Sequence, residues 1–230
     1  SILNTDNFKW QGDTDDTLSQ ELTFTWTIDK IQLQVNWSNT SSVYSGSSIA
    51  PTYTITGWAG TDSYESSGNY TINISGAQTN VGDNYSATLT ITRKDGGNVN
   101  YTLSNPQTYF DITKAAIYVT FTNTTLEYNG QEQGPEYEVT NFLVPNEVNI
   151  YSFVFTTLGK DVGQYSTELT LTSNNETMNY QLYLAGGEET AETDFIISTA
   201  TLLVDWGELE FEYDGSKKSP TPEISGWFNT

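Results

Sequence analysis

The feature that most constrains this chain is a framework of residues that occurs three times, about 85 positions apart. Each copy contains a Tyr-x-Gly turn, which reads Tyr44-Ser45-Gly46, then Tyr128-Asn129-Gly130, then Tyr213-Asp214-Gly215. The first two tyrosines are 84 positions apart and the last two are 85 apart. Solenoid repeats span only about 20 to 50 residues, so this period predicts a tandem series of small domains.

The residues before each turn alternate between apolar and polar types. The apolar members are Ile31, Leu33, Val35 and Trp37 in the first copy, Ala115, Ile117, Val119 and Phe121 in the second, and Ala200, Leu202, Val204 and Trp206 in the third. An alternation with period two is typical of a β-strand that buries one face. The framework is therefore predicted to begin with a strand.

The stretch between two framework copies is predicted to contain only strands. No window keeps apolar residues at helical spacing, and Thr, Ser, Tyr and Val are plentiful. The candidate strands of the first complete copy cover residues 31–37, 52–57, 70–75, 85–92, 99–103 and 108–113. Six or seven short strands in about 85 residues favour an all-β fold, with immunoglobulin-like antiparallel sandwiches arranged as an elongated array. A small β-grasp-like domain is the alternative.

The framework divides the chain into two complete and two partial units. Residues 1–28 are predicted to be the C-terminal part of a preceding repeat, 29–113 and 114–198 complete repeats, and 199–230 the N-terminal part of a following one. No Gly, Pro or Ser run lies between residues 110 and 117, so we expect units joined without linkers. Because neither end completes a domain, we expect a window onto a longer chain.

The composition excludes several classes of function. The formal net charge of −21, from 8 Lys+Arg against 29 Asp+Glu, repels phosphate backbones and anionic membranes, so nucleic acid is not an expected partner. No apolar run of eighteen residues is present, and no direct membrane insertion is predicted. Without Cys or His, the chain has no disulfide framework, thiol nucleophile or thiolate zinc site. Absence of cysteine fits a bacterial cell-surface protein.

One cluster of carboxylates raises the question of catalysis. Glu208, Glu210 and Glu212 alternate with apolar residues and so share one face of a strand, as a pair of hydrolytic carboxylates would require. Their counterparts in the first unit are Asn39, Ser41 and Val43, which cannot perform that chemistry. We interpret the cluster as a solvated acidic face and predict that the protein is not an enzyme.

Two acidic loops near predicted domain ends are candidates for calcium. They contain Asp13, Asp15 and Asp16 in one case and Glu188, Glu189, Glu192 and Asp194 in the other. Calcium takes six to eight oxygen ligands, and an ion at a domain junction would stiffen an array. Neither loop has the spacing of a known ion loop, and the first complete unit has nothing similar. The favoured prediction is therefore no cofactor, with calcium as the minor alternative.

An aromatic residue follows the second main strand in all three copies. These residues are Trp58, Phe142 and Trp227, each directly after Gly57, Asn141 or Gly226. An exposed aromatic ring stacks well on a sugar, which makes the three residues candidates for glycan contact. A repeated aromatic more often packs in a core or between domains, and we favour that interpretation.

Five motifs recur in a fixed order along nearly the whole chain. They are Ile112-Thr113-Lys114-Ala115, Tyr128-Asn129-Gly130, Val162-Gly163 with Tyr165, Asn179-Tyr180 with Leu182, and Phe195-Ile196-Ile197-Ser198. This order resembles the MBG/YDG-type repeats of large bacterial surface adhesins. The resemblance implies a stalk or repeat module of an exported, wall-associated or filament-forming protein, and it carries no catalytic motif.

Together these observations predict an extracellular structural role. We expect a stalk or spacer segment of a tandem-repeat adhesin or fibre that projects or links domains at the cell surface. Its expected partners are neighbouring repeats and other copies in a filament. The alternative is an adhesin repeat in which each unit binds a host, matrix or mucus glycan.

Overall fold

The computed structural model describes residues 24–65, 67–174 and 177–228. These residues form mostly β-strands, with a short 3-10 helix at Pro145–Ile150. The predicted all-β class is confirmed, and each complete unit has its strands in two sheets, as in a sandwich. Within the described ranges, no helix is long and apolar enough to cross a membrane.

The described residues of the first unit, 29–65 and 67–113, contain seven strands. They are β1 (Ile31–Ser38), β2 (Ser41–Val43), β3 (Thr52–Thr56), β4 (Tyr70–Ser75), β5 (Gly82–Arg93), β6 (Tyr101–Leu103) and β7 (Gln107–Thr113). One sheet has the order β3-β1-β6, and the other has the order β2-β7-β5-β4. The core lies between these two sheets.

The second unit, residues 114–198, repeats this arrangement strand for strand. Its strands are β8 (Ala115–Thr122), β9 (Thr125–Glu127), β10 (Glu136–Thr140), β11 (Tyr151–Phe155), β12 (Gly163–Ser173), β13 (Tyr180–Leu184) and β14 (Glu192–Ser198). The sheets are β10-β8-β13 and β9-β14-β12-β11. The exact domain boundaries stay a prediction, but one residue, Lys114, separates β7 from β8.

The sheets are mixed, whereas the sequence predicted antiparallel ones. In the first unit β1 pairs in parallel with β6, and β2 pairs in parallel with β7. The physical reason is a sharp change of direction between β1 and β2, where Asn39 has a positive φ of 53°. Asn123 has the same kind of conformation in the second unit, with a φ of 49°. In each unit the chain therefore passes from one sheet to the other between its first two strands. The first strand lies beside the sixth in one sheet, and the second strand lies beside the seventh in the other.

The same strand register occurs in all three copies of the framework. Val35 lies opposite Ile55 in the first unit, and Val119 lies opposite Val139 in the second. In the trailing segment, residues 199–228, Val204 of β15 (Leu203–Asp205) lies opposite Ile224 of β16 (Glu223–Ser225). Since a slip of one residue would turn the apolar side chains outward, this shared register explains why the alternation recurs.

The apolar alternation becomes the buried core in both units. Leu33 of β1 and Ile117 of β8 are fully buried, and Leu89 and Leu169 face them from the opposite sheets. In the trailing segment the equivalent residues Leu202 and Val204 are exposed. Among its described residues, that segment has one two-stranded sheet and no second layer to cover this face.

The junction between the two units as candidate functional site

The Tyr-x-Gly turn of the first unit lies at the contact with the second unit. It follows β2, and the backbone N–H of Tyr44 donates to the carbonyl of Thr113, the last residue of β7, at 2.8 Å. Gly46 adopts a left-handed φ of 74°, and a Cβ atom there would lie 2.4 Å from Cγ2 of Val144 in the second unit. Glycine is therefore needed both for the backbone conformation and for the close approach.

A single carboxylate of the second unit binds a tyrosine from each unit. The Tyr44 side chain is only 3% exposed, and its hydroxyl donates to Oε1 of Glu147 at 2.5 Å. The hydroxyl of Tyr180 donates to Oε2 of the same carboxylate. The two tyrosine rings also meet edge to face, with centroids 5.4 Å apart. The turn is thus held by a ring contact and a charge-assisted hydrogen bond.

The electrostatics keep both phenols protonated. Burial raises the pKa of Tyr44 well above its usual range, and the hydrogen bond to Glu147 and the charge of that carboxylate raise it further. Burial, with the same hydrogen bond and charge, raises the pKa of Tyr180 to about 12. An ionised phenol would place a second negative charge beside the carboxylate. Both hydroxyls therefore remain hydrogen-bond donors at neutral pH.

Asn179 makes a second bridge across the junction. This side chain is 3% exposed, its Oδ1 accepts from the backbone N–H of Val81 at 3.0 Å, and its Nδ2 donates to Oδ1 of Asn80 at 3.1 Å. Its backbone N–H donates to the Tyr151 hydroxyl at 3.2 Å. The amide side chain of the second unit therefore has both its ends satisfied by the first unit, as a buried polar group requires.

The junction brings together three motifs that the sequence had identified as separate elements. The Tyr-x-Gly turn of one unit and its Val81-Gly82 turn, the counterpart of Val162-Gly163, meet the Asn179-Tyr180 motif of the next. The sequence interpretation missed Glu147. A usable signal was present, since both units have an acidic residue in the loop before their fourth strand, namely Asp62 and Glu147.

The three aromatic candidates for glycan contact do not occupy equivalent surroundings. Phe142 is half-buried against Tyr180, with ring centroids 4.9 Å apart. Trp58 is half-buried against Tyr101, also with centroids 4.9 Å apart. Trp227 is 68% exposed. In the complete units this position supports the tyrosine of the Asn-Tyr motif.

The calcium candidates divide between undescribed and exposed positions. Asp13, Asp15 and Asp16 lie outside the described residues. The other four, Glu188, Glu189, Glu192 and Asp194, are exposed in the turn after β13 and along β14. Across residues 24–65, 67–174 and 177–228, no three acidic side chains gather in a geometry that would hold a metal ion.

A second, looser contact lies where the second unit meets the trailing segment. Tyr128, the counterpart of Tyr44, is half-buried and meets the ring of Phe228 edge to face at 5.9 Å. A cavity of about 400 Å³ lies beside it, lined by Val162, Leu202 and Trp227 among others. The Tyr-x-Gly turn of each complete unit thus contacts the part of the chain that follows that unit.

In the comparisons with known proteins, no family model, no curated protein and no solved structure matches the chain. The functional conclusion therefore depends on the junction and on the chemistry of the residues that form it.

Proposed function

We propose that this chain is a structural stalk or spacer segment of an extracellular surface adhesin or fibre. The observation that carries the proposal is the packed junction between the two units. Lys114 alone separates their strands, and Tyr44 and Asn179 are buried where the units meet. A segment that projects or links other domains needs this property, because free hinges would let the array fold back on itself.

The junction contacts oppose bending. Opening this side of the junction would separate the Tyr44 hydroxyl from Glu147, and a hydrogen bond to a charged group contributes about 1.5–3 kcal/mol. It would also expose the Tyr44 ring, and burial of a large side chain contributes about 1.5–3 kcal/mol more. The energy needed is thus several times the thermal energy, which favours a semi-rigid rod.

The composition supports an extracellular setting for this rod. Its fold uses no cysteine, so it does not depend on an oxidising or reducing environment. Its charge of −21 keeps chains apart at a crowded surface. The resemblance to MBG/YDG-type adhesin repeats points to the same location.

Small-angle X-ray scattering of the whole chain tests the proposal. We expect an elongated, rigid profile, with the two complete units end to end. Tyr44→Ala should make the profile more flexible, because it removes both the ring contact and the hydrogen bond at the junction. Tyr109→Ala, at an exposed position on β7, is the matched control and should leave the profile unchanged. A compact or freely hinged profile of the unmodified chain would contradict the proposal.

The glycan-binding alternative has one observation in its favour. Trp227, Phe228 and Tyr128 surround an open apolar cavity in which a sugar ring could stack. The equivalent Trp58 and Phe142 pack against core tyrosines, so the complete units do not repeat that surface. A glycan-array screen tests this alternative: consistent binding that is lost in Trp227→Ala would favour it over the spacer.

A further inference from the structure

The first unit has a surface that corresponds to the one by which the second unit receives Tyr44. We call this surface the leading face of the first unit and define it by Trp58, Asp62, Asn100 and Tyr101. Its counterparts in the second unit are Phe142, Glu147, Asn179 and Tyr180. Of these counterparts, Glu147, Asn179 and Tyr180 contact the first unit, whereas the leading face borders a cleft of about 550 Å³.

The two faces share their polar geometry. The Tyr101 hydroxyl donates to Oδ2 of Asp62 at 2.6 Å, as the Tyr180 hydroxyl donates to Glu147. The carbonyl of Asn100 accepts from the first residue of β1 at 3.0 Å, and the carbonyl of Asn179 accepts from the first residue of β8 at 3.0 Å. The leading face therefore presents the same carboxylate, phenol and amide in the same order.

The faces differ in what covers them. Asn179 is buried because the first unit binds both ends of its amide, whereas Asn100 is exposed. The buried Nε1 of Trp58 has no hydrogen-bond partner among the described residues. Hydrogen bonds from Asn69 and Tyr101 hold the pKa of Asp62 below its usual range, so this carboxylate stays an ionised acceptor. Among the described residues, no other unit contacts this face: the Asn100 side chain is exposed, and Asp62 accepts from side chains of its own unit, with Asn69 Nδ2 at 2.5 Å from Oδ1 and the Tyr101 hydroxyl on Oδ2.

The tyrosine turns show what such a face receives. Their glycines Gly46, Gly130 and Gly215 have φ values of 74°, 77° and 84°, so the turn conformation is the same in every copy. The burial of the tyrosine is not the same: Tyr44 is 3% exposed under a complete unit, and Tyr213 is 93% exposed. The turn glycine thus has its conformation in every copy, whereas the tyrosine is fully buried where a complete unit follows it.

We propose that the leading face of the first unit is a docking surface for another unit of the same kind, joined in tandem before Asp29. That unit would place the tyrosine of its Tyr-x-Gly turn against Asp62 and Tyr101, and its Val-Gly turn against Asn100. The inference deepens the proposed spacer function and rests on it, since it extends the same junction to a further repeat.

The segment before the first unit supports a tandem neighbour as the occupant. Residues 24–30 run into β1 as residues 108–114 run into β8, with Lys30 and Lys114 in corresponding places. Ile28 is 82% exposed, whereas its counterpart Ile112 in β7 is 1% exposed. An apolar side chain directly before β1 is thus uncovered beside the uncovered leading face. A neighbouring unit in which residues 24–28 pair as residues 108–112 do in β7 would cover both.

The test is a chain in which residues 29–113 are inserted once more directly before Asp29, with the rest of the protein unchanged. Hydrogen exchange should then slow by about tenfold or more at Asn100 and in the Ala59–Asp62 loop of the original first unit. Tyr44→Phe in the inserted copy removes only the donated hydroxyl and should reverse most of this protection. Tyr109→Phe in the inserted copy is the matched control and should change nothing.

Each other outcome argues against the proposal. Unchanged exchange at the leading face after the insertion would overturn it. Protection in the unmodified chain that rises with protein concentration and is lost in Tyr213→Phe would place a second copy on the face instead of a tandem neighbour. The spacer function is tested separately by scattering. A hinged profile at the Tyr44 junction would contradict the spacer function whether or not the inserted unit protects the leading face.

Discussion

The Tyr44 and Tyr128 turns have the same local structure but different surroundings. Tyr44 is buried and meets a carboxylate and a second tyrosine of a complete unit, and Gly46 of the same turn lies close to Val144 of that unit. Tyr128 meets chiefly the ring of Phe228 in the trailing segment, and it is half-buried. The conformation of the turn is therefore determined by its own residues, whereas its contribution to stability depends on the unit that follows it.

Truncation of the buried turn tyrosine should lower the free energy of unfolding more than any other change considered below. Tyr44→Ala should lower the free energy of unfolding by about 3–5 kcal/mol, as for a large buried aromatic residue. Tyr128→Ala should cost roughly 1–2 kcal/mol, since its ring is only half-buried, and Tyr213→Ala should stay within about 0.5 kcal/mol because its side chain is 93% exposed. Chemical denaturation of the three variants measures this order. Equal losses would show that the turn stabilises its own unit and not the junction.

Alkaline pH should weaken the Tyr44 junction. The pKa of Tyr180 is raised from 10.0 to about 12 in the folded protein, and the pKa values of Tyr44 and Tyr151 are raised too, all chiefly by burial. Below pH 10 these phenols are protonated in the folded and unfolded states, so their stabilisation is fully present. As the pH rises from about 10 towards 12, the unfolded phenols ionise before the Tyr180 phenol of the folded protein does, and stability falls.

Urea denaturation at a series of pH values from 8 to 12 measures this loss. Tyr180→Phe removes one of the shifted groups and should flatten the fall above pH 10. Tyr109→Phe, at an exposed position, is the control and should leave the slope as it is. A slope that is the same in Tyr180→Phe and in the unmodified chain would show that the junction phenols do not cause the loss.

The two asparagines of the Asn-Tyr motif, Asn100 and Asn179, should also differ in how much they contribute to stability. Asn179→Ala should cost about 1–3 kcal/mol, because it leaves the backbone N–H of Val81 unpaired at the junction. Asn100→Ala should cost less than about 0.5 kcal/mol, because its side chain is exposed. Thermal unfolding of both variants checks the difference. A loss as large for Asn100→Ala would mean that the motif serves the backbone of its own unit.

The sequence predicted the strands well because alternation is a local property. The predicted strand at residues 70–75 is observed as β4 (Tyr70–Ser75), and the predicted strand at 31–37 is β1 with one residue more. Alternation shows which face of a strand is buried but not which strand lies beside it. The parallel pairs β1 with β6 and β2 with β7 were therefore missed, and β2, with three residues, is too short to show a period.

The junction was predictable in its parts but not as a site. Gly46 and Asn179 belong to motifs that occur in both complete units, and this recurrence identified the motifs. Glu147 did not stand out, because its loop differs in length and residue type from the loop that holds Asp62. The bond from Tyr44 to Glu147 spans 103 positions, and no local pattern indicates a contact at that distance.

The smallest difference in unfolding free energy is expected between alanine substitutions of two turn glycines, Gly46 and Gly215. Gly46 and Gly215 both have a positive φ, so alanine at either position should cost about 1–2 kcal/mol of backbone strain. A Cβ at Gly46 would also lie 2.4 Å from Val144, whereas nothing lies within 4 Å at Gly215. Gly46→Ala should therefore cost roughly 1 kcal/mol more than Gly215→Ala in denaturant unfolding. Val144→Ala removes the side chain that a Cβ at position 46 would meet, so it should remove the extra cost of Gly46→Ala. The backbone strain, which is common to both glycines, should remain. If the excess persists in the Val144→Ala background, the close approach of the turn to the second unit is not its cause.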